Sequence, residues 1–223
     1  MNFDFQYFLE VFPQLLSAVP LTLILTVVSM LLSVVIALLL AIVIIEKTRI
    51  LFPICQVYIS FFRAVPTLVQ LFLFYYGLPQ LISPLVNVSP IVTVIVGLSF
   101  KQAAFLSEIF RAAILSVDKG QKEAAITVGL SPTQTFKRIV LPQAFRNALP
   151  GLGNTIITTF KETSLAFTLG VVEMFAQGKI LAAASFKYME TYLALAFIYW
   201  GLVIVYTFLQ SFIEKKIEKP YIR

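Results

Sequence analysis

No charged residue occurs between Leu15 and Ile45, and nearly every residue in that run is apolar. A soluble core helix does not need so long an uninterrupted run, whereas a membrane span takes about 20 such residues. The run stops at Glu46, Lys47 and Arg49. A cleaved signal peptide would start basic and carry a short apolar core. Here the preceding residues hold Asp4 and Glu10 with no Lys or Arg, so a retained transmembrane helix is expected.

Composition extends the reading to the whole chain. Of 223 residues, 59% are hydrophobic and only 13% charged, against roughly 25% charged in soluble domains. A soluble globule could not cover its surface with so few charges, and disordered chains are polar and charge-rich. The expectation is therefore a single all-α integral membrane domain over residues 1–223. Spans are expected at about 15–45, 66–82, 90–117, 149–176 and 192–212, with a polar loop at 118–147. Pro66 disfavours helix at the residue before it and suits the first turn of a new one. Residues 51–65 are then either a short interfacial segment or the first limb of a kinked span.

The basic residues sort by side. Lys47, Arg49, Lys119, Lys122, Lys137, Arg138, Arg146, Lys215, Lys216, Lys219 and Arg223 fall in one set of alternating segments. Only Lys179 and Lys187 fall in the other. The positive-inside rule places the N-terminus outside and the C-terminus in the cytoplasm, and five spans satisfy that parity. The net charge of +6 is thus topological, and no nucleic acid partner is called for.

Several chemistries are excluded. The chain has no His and a single Cys, Cys55, so no His-based proton relay, Cys cluster or internal disulfide is available, and no metal site is expected. No phosphate-binding loop is present; Gly178-Lys179 lacks both the upstream Gly and the following Ser or Thr. If ATP is used, another chain hydrolyses it.

The 118–147 loop is the most distinctive stretch. Gln121 to Val128 is long enough for two helical turns, Gly129 suits a left-handed C-cap, and Pro132 blocks continuation. Ile126 and Leu130 share a face. Physical reasoning alone leaves a solvated or interfacial helix and a docking helix both open.

The string Glu123-Ala124-Ala125, then Gly129, then Ile139-Val140-Leu141-Pro142 resembles the cytoplasmic loop of binding-protein-dependent ABC importer permeases. Phe61 to Gln70, Glu108 to Ile114 with Lys119-Gly120-Gln121, and Lys161-Glu162-Thr163-Ser164-Leu165 are similar to segments of the polar amino acid uptake branch. The four segments occur in order over about residues 15–215. The resemblance implies a type I importer permease fold in a bacterial cytoplasmic membrane. It implies a non-catalytic subunit whose coupling helix (Glu123, Ala124, Ala125, Gly129, with Leu141 and Pro142) sits on a cytoplasmic ATPase dimer. That dimer carries ATP and Mg; this chain carries no cofactor. Further implied partners are an extracytoplasmic amino-acid-binding protein and a second permease, either a paralogue or, as the simplest symmetric solution, another copy.

Charges inside spans are costly and mark pathways or partners. Lys161 and Glu162 fall at the centre of the fourth expected span, among Asn154, Thr155, Thr158, Thr159, Thr163, Ser164 and Thr168. Thr155, Thr158 and Glu162 share a helical face, and both charges either line a wet cavity or pair with other spans. The candidate substrate-binding set is Lys161, Glu162, Thr158, Thr163 and Ser164, with Leu68, Leu71, Phe72 and Tyr75 as apolar walls. A carboxylate without a mobile cation favours a basic substrate such as arginine. Lys101 stands against that lean, since it is free to snorkel, to pair with Glu162 or to meet a substrate carboxylate. Glu108 and Arg111, at i,i+3, are expected to form a structural ion pair, and Arg63 and Pro66 to serve structure or gating. The competing classes are an ATP-independent secondary transporter and an integral-membrane enzyme. Neither requires the loop motif, and the chain shows no internal repeat and no nucleophile–base set.

Overall fold

The structure is a computed structural model that describes residues 3–218. The tail cations Lys219 and Arg223 lie outside the described residues. Among those described there is no strand, and eleven α-helices follow one another. They are α1 (Phe5–Leu16), α2 (Val19–Glu46), α3 (Leu51–Ala64), α4 (Thr67–Phe72), α5 (Leu78–Leu81), α6 (Pro90–Leu115), α7 (Lys119–Thr127), α8 (Pro132–Thr135), α9 (Leu141–Glu162), α10 (Met174–Ser185) and α11 (Tyr188–Glu218).

Three of these helices, α2, α6 and α11, are long and apolar enough to cross a membrane. The number becomes five if two bent pairs each count as one span. In the first pair, 51–64 and 67–81 meet at 113°. The cause is Pro66, which holds Val65 extended (ψ 134°). Gln70 Nε2 donates to Phe62 O (3.0 Å) and Val65 O (2.7 Å), so the carbonyls freed by the break keep a donor. In the second pair, 132–169 and 174–185 meet at 54°.

That second bend differs from the continuous helix expected over 149–176. The α-helical path starts earlier, at Leu141, and ends at Glu162. Thr163–Leu169 then narrows into a 3₁₀ turn, and Gly170 at φ 80° ends it. A residue with φ in that range favours glycine. Lys161 and Glu162 therefore stand at the end of α9 and not in the middle of a helix.

The N-terminal helix α1 is a second difference. Residues before Leu15 are expected as a segment outside the first span, yet Asp4 caps a separate helix by accepting from the Tyr7 N–H at 2.9 Å. Ser17 and Ala18 separate it from α2, which opens with Pro20 in its first turn.

The centre of the molecule is the α2–α6 seam. Buried Ser29, Ser33, Ala37 and Ala41 recur on one face of α2 against Ser99, Ala103, Ala104 and Ser107 of α6. Small side chains let two backbones approach closely, which is the usual basis of helix packing in lipid. Ser33 Oγ donates to Ser29 O at 2.6 Å within α2 and also lies 3.2 Å from Ser99 O. Ser99 Oγ donates to Ile95 O at 2.6 Å within α6 and lies 3.2 Å from Ser29 O. On the other side, α6 and the turn after it pack on α9 and the turn before it through Ala113, Val117, Val140, Ala144 and Ala148.

Candidate functional site

The Glu162 carboxylate is where three elements converge. On α6, Lys101 Nζ forms an ion pair with Oε1, and Gln102 Nε2 donates to Oε2 at 2.9 Å. From the first turn of α4, Thr67 Oγ1 donates to Oε1 at 3.4 Å. Of the three arrangements open to Lys101 in the sequence, the structure shows the pair with Glu162. The side chains of Lys101 and Glu162 are 12% and 20% exposed, so the pair is partly shielded from solvent and still reachable.

Beside the pair lies a cleft of about 340 Å³, lined by Lys101, Gln102, Phe105, Ile109, Gly151, Asn154, Thr155 and Thr158. This is within the range of about 300–1,000 Å³ typical of small-molecule sites. Phe105 forms an aromatic wall. Lys101 Nζ stands 5.7 Å from the ring centroid and the Arg63 guanidinium carbon 5.6 Å from it. Arg63 is thus placed next to the site, while Pro66 supplies the bend that brings Thr67 to Glu162.

The polar residues of α9 divide between two faces. Thr155 and Thr159 are buried; Thr159 Oγ1 donates to Thr155 O at 2.8 Å and contacts Met30 Sδ at 3.1 Å. Asn154, Thr158 and Lys161 are exposed at i, i+4 and i+7, and Lys161 makes no ion pair among the described residues. A polar stripe capped by an ammonium is expensive to place against lipid. It suits a wet passage or a second subunit.

Other expected site residues lie elsewhere. Leu71 is fully buried in the cluster of Leu25, Val94 and Leu98, and Tyr75 packs against that cluster. Thr163 is fully buried and donates to Phe160 O at 2.7 Å. Ser164 donates to Lys161 O at 2.7 Å. Leu68 is half-buried, and Phe72 stacks edge-on against Tyr76. Gln102 and Thr67, which contact Glu162, and Phe105 were not singled out from the sequence. An amide one residue from a lysine in an apolar span was the available signal for Gln102.

Glu108 and Arg111 form the expected i,i+3 pair, with Arg111 Nη2 2.8 Å and Nε 3.2 Å from Glu108 Oε2.

The loop after α6 is almost entirely helical. Asp118 caps α7 by accepting from the Gly120 N–H at 2.8 Å. At the other end Gly129 adopts φ 86°. The Leu130 N–H then reaches Ala125 O at 3.1 Å and the Gly129 N–H reaches Ile126 O at 2.9 Å, a left-handed cap that satisfies the last carbonyls. Ala125 is buried, while Glu123, Ala124, Ile126, Val128 and Gly129 are exposed. Ser131 and Gln134 form a reciprocal capping box that starts α8, and Leu141 and Pro142 are exposed in the first turn of α9. The ends of the path from α6 through α7 to α9 are held together by the alanine-rich contact at Ala113, Ala144 and Ala148.

Comparison with known proteins agrees with this architecture. Residues 33–219 match the family model described as binding-protein-dependent transport system inner membrane component. The chain is 51% identical over 218 residues to a probable amino-acid permease protein, YxeN, of Bacillus subtilis (strain 168), covering 98% of this chain and 97% of that one. It is 44% identical over 223 residues to PatM of Vibrio harveyi, a probable amino-acid ABC transporter permease protein, with both chains fully covered. A crystal structure of an amino acid ABC transporter with histidines superposes with a TM-score of 0.87 at 30% identity, covering 97% of this chain and 100% of the other. Membership implies an ATPase and a binding protein as partners. The chain belongs to the binding-protein-dependent transport system inner membrane components and is a non-catalytic permease subunit of an amino acid ABC importer in the membrane.

Proposed function

We propose that this subunit moves a polar amino acid into the cytoplasm by alternating access, driven by ATP and Mg on a separate cytoplasmic ATPase dimer. The observation that carries the reading is continuity. The exposed helix α7 hangs between α6 and α9, the two helices that hold Lys101 and Glu162, and these are packed together by Ala113, Val140, Ala144 and Ala148. Displacement of α7 by closing ATPases would therefore move the walls of the cleft. Such coupling biases a two-state equilibrium between inward- and outward-facing forms.

The exposed stripe of Asn154, Thr158 and Lys161 supports a second permease facing the first, with the amino acid passing between them. Another copy of this chain is the simplest partner. An extracytoplasmic binding protein would deliver the substrate. A basic substrate such as arginine was expected from a carboxylate without a mobile cation. Lys101 occupies that carboxylate, so this support for a basic substrate is gone.

The test is reconstitution of the permease with its ATPase and binding protein in vesicles. ATP-dependent amino acid uptake is expected, and Gly129→Asp should lower both ATPase association and uptake. Undiminished association and uptake in that variant would overturn the coupling role of α7.

A further inference from the structure

We propose that Lys101 sets the charge accepted by the cleft, so that the amino acid passing Glu162 is a zwitterion with an uncharged side chain and not a basic one. The inference deepens the proposed function and rests on its passing the amino acid along Asn154 and Thr158, which also line the cleft.

Glu162 has both oxygens engaged, Oε1 by Lys101 and Thr67 and Oε2 by Gln102. A cationic side chain seeking the Glu162 carboxylate would have to displace Lys101. The displaced ammonium would lose its fixed partner and, beside Phe105, could be met only by the substrate's own carboxylate, which is unfavourable. The surroundings offer no compensation. Arg63 shares the Phe105 ring with Lys101, and Lys161 follows on the exposed face of α9. Glu108, a turn or two along α6, is already held by Arg111. Lys101 is the charged residue that lines the cleft, Arg63 stands at its Phe105 wall, and the carboxylate beside them, Glu162, is already paired. A substrate carboxylate gains from that balance, whereas a second positive charge on the substrate is opposed by it.

The residue is thus a specificity determinant acting through charge. Removing it should convert Glu162 into the unpaired carboxylate that a basic side chain needs.

Direct binding of radiolabelled glutamine and arginine to the detergent-solubilised permease–ATPase complex, without the binding protein, isolates the permease's own preference. The wild type should favour glutamine by at least about tenfold. Lys101→Gln should shift the ratio toward arginine by at least about tenfold, and Lys101→Gln combined with Glu162→Gln should abolish that gain. Lys101→Arg keeps the charge and should retain the wild-type ratio, which separates a charge effect from loss of folding. Arginine binding as tight as glutamine in the wild type, or a ratio unmoved by Lys101→Gln, overturns the proposal alone. Binding of neither amino acid by the wild type overturns the route along the cleft and this proposal with it.

Discussion

Thr22 on α2 and Glu173 before α10 meet in the interior, both fully buried, with Thr22 Oγ1 3.4 Å from Glu173 Oε2. The same hydroxyl accepts from the Met174 N–H at 3.0 Å, and Glu173 Oε1 accepts from the Ala176 N–H at 2.9 Å. Two side chains from distant parts of the chain thus satisfy the first amides of α10. Thr22→Val keeps the shape and leaves the Met174 amide without an acceptor, which should destabilise the protein by roughly 1–3 kcal/mol. Thr22→Ser should recover most of the loss. Denaturant unfolding of the solubilised complex reads the difference.

Gly129 has open space where a Cβ would go, so the penalty of a side chain there is conformational and not steric crowding. Gly129→Val puts a β-branched residue at φ 86°, a strained arrangement costing about 1–2 kcal/mol. The left-handed cap of α7 should loosen while the membrane helices keep their stability. Co-purification of the ATPase and ATP-driven uptake should both fall, and the melting temperature should hold.

The α2–α6 seam is limited by volume. Ser33 is fully buried between the two helices, so Ser33→Ile should force them apart at a cost of typically 1–3 kcal/mol. Ser33→Ala removes a hydroxyl shared between Ser29 O and Ser99 O, and should cost no more than the roughly 0.6 kcal/mol average of an interhelical hydrogen bond in membranes. Thermal melting of the two variants should rank them in that order.

Accessibility tests the two faces of α9. With Cys55 replaced by alanine, Thr158→Cys and Asn154→Cys should react with a membrane-impermeant thiol reagent, because both positions are exposed. Thr163→Cys should stay unreactive because that side chain is buried. Equal labelling at 158 and 163 would contradict the division of polar residues described for this helix.

Outside the spans, Lys187 Nζ pairs with Asp4 Oδ2. That bond, followed by the Tyr7 amide, holds the Asp4 carboxyl below its ordinary value of 3.8, and Asp4 in turn raises Lys187 above 10.5. The contribution of Asp4 is present above 3.8 and is lost as pH falls through the lowered value. That of Lys187 is present below 10.5 and is lost as pH rises through the raised value. The attachment of α1 should be constant near neutrality. Asp4→Asn should flatten the acid limb of the melting temperature measured from about pH 5 down to about pH 3.

The long apolar runs made the membrane class and the long helices α2, α6 and α11 legible, and the loop motif made α7 legible down to its Gly129 cap. The start of α1 was not legible, because an amphipathic helix runs directly into an apolar span and only Ser17 and Ala18 separate them. Glu162 stood out as a charge in an apolar stretch, but its partner did not. Which of several cations reaches it depends on the depth and rotation of α6 against α9, and these follow from packing between helices. The facing of Thr163 was lost for a local reason. After Glu162 the backbone tightens from about 3.6 to about 3.0 residues per turn, which rotates every later side chain away from its helical register.

The contact of α1 with α11 joins the first helix to the last. Val11 and Leu15 pack with Phe160, Met174, Ala194, Leu195 and Ile198 in one cluster, and the Asp4 N–H donates to Glu190 at 2.8 Å. In synthesis α1 precedes α9, α10 and α11, which supply these contacts, so part of its apolar face stays uncovered until α11 follows. A chain truncated before α11 keeps Phe160 and Met174 for this cluster and loses Ala194, Leu195 and Ile198. Closure of α1 on α11 is therefore a long-range contact that forms only once the intervening helices have been laid down.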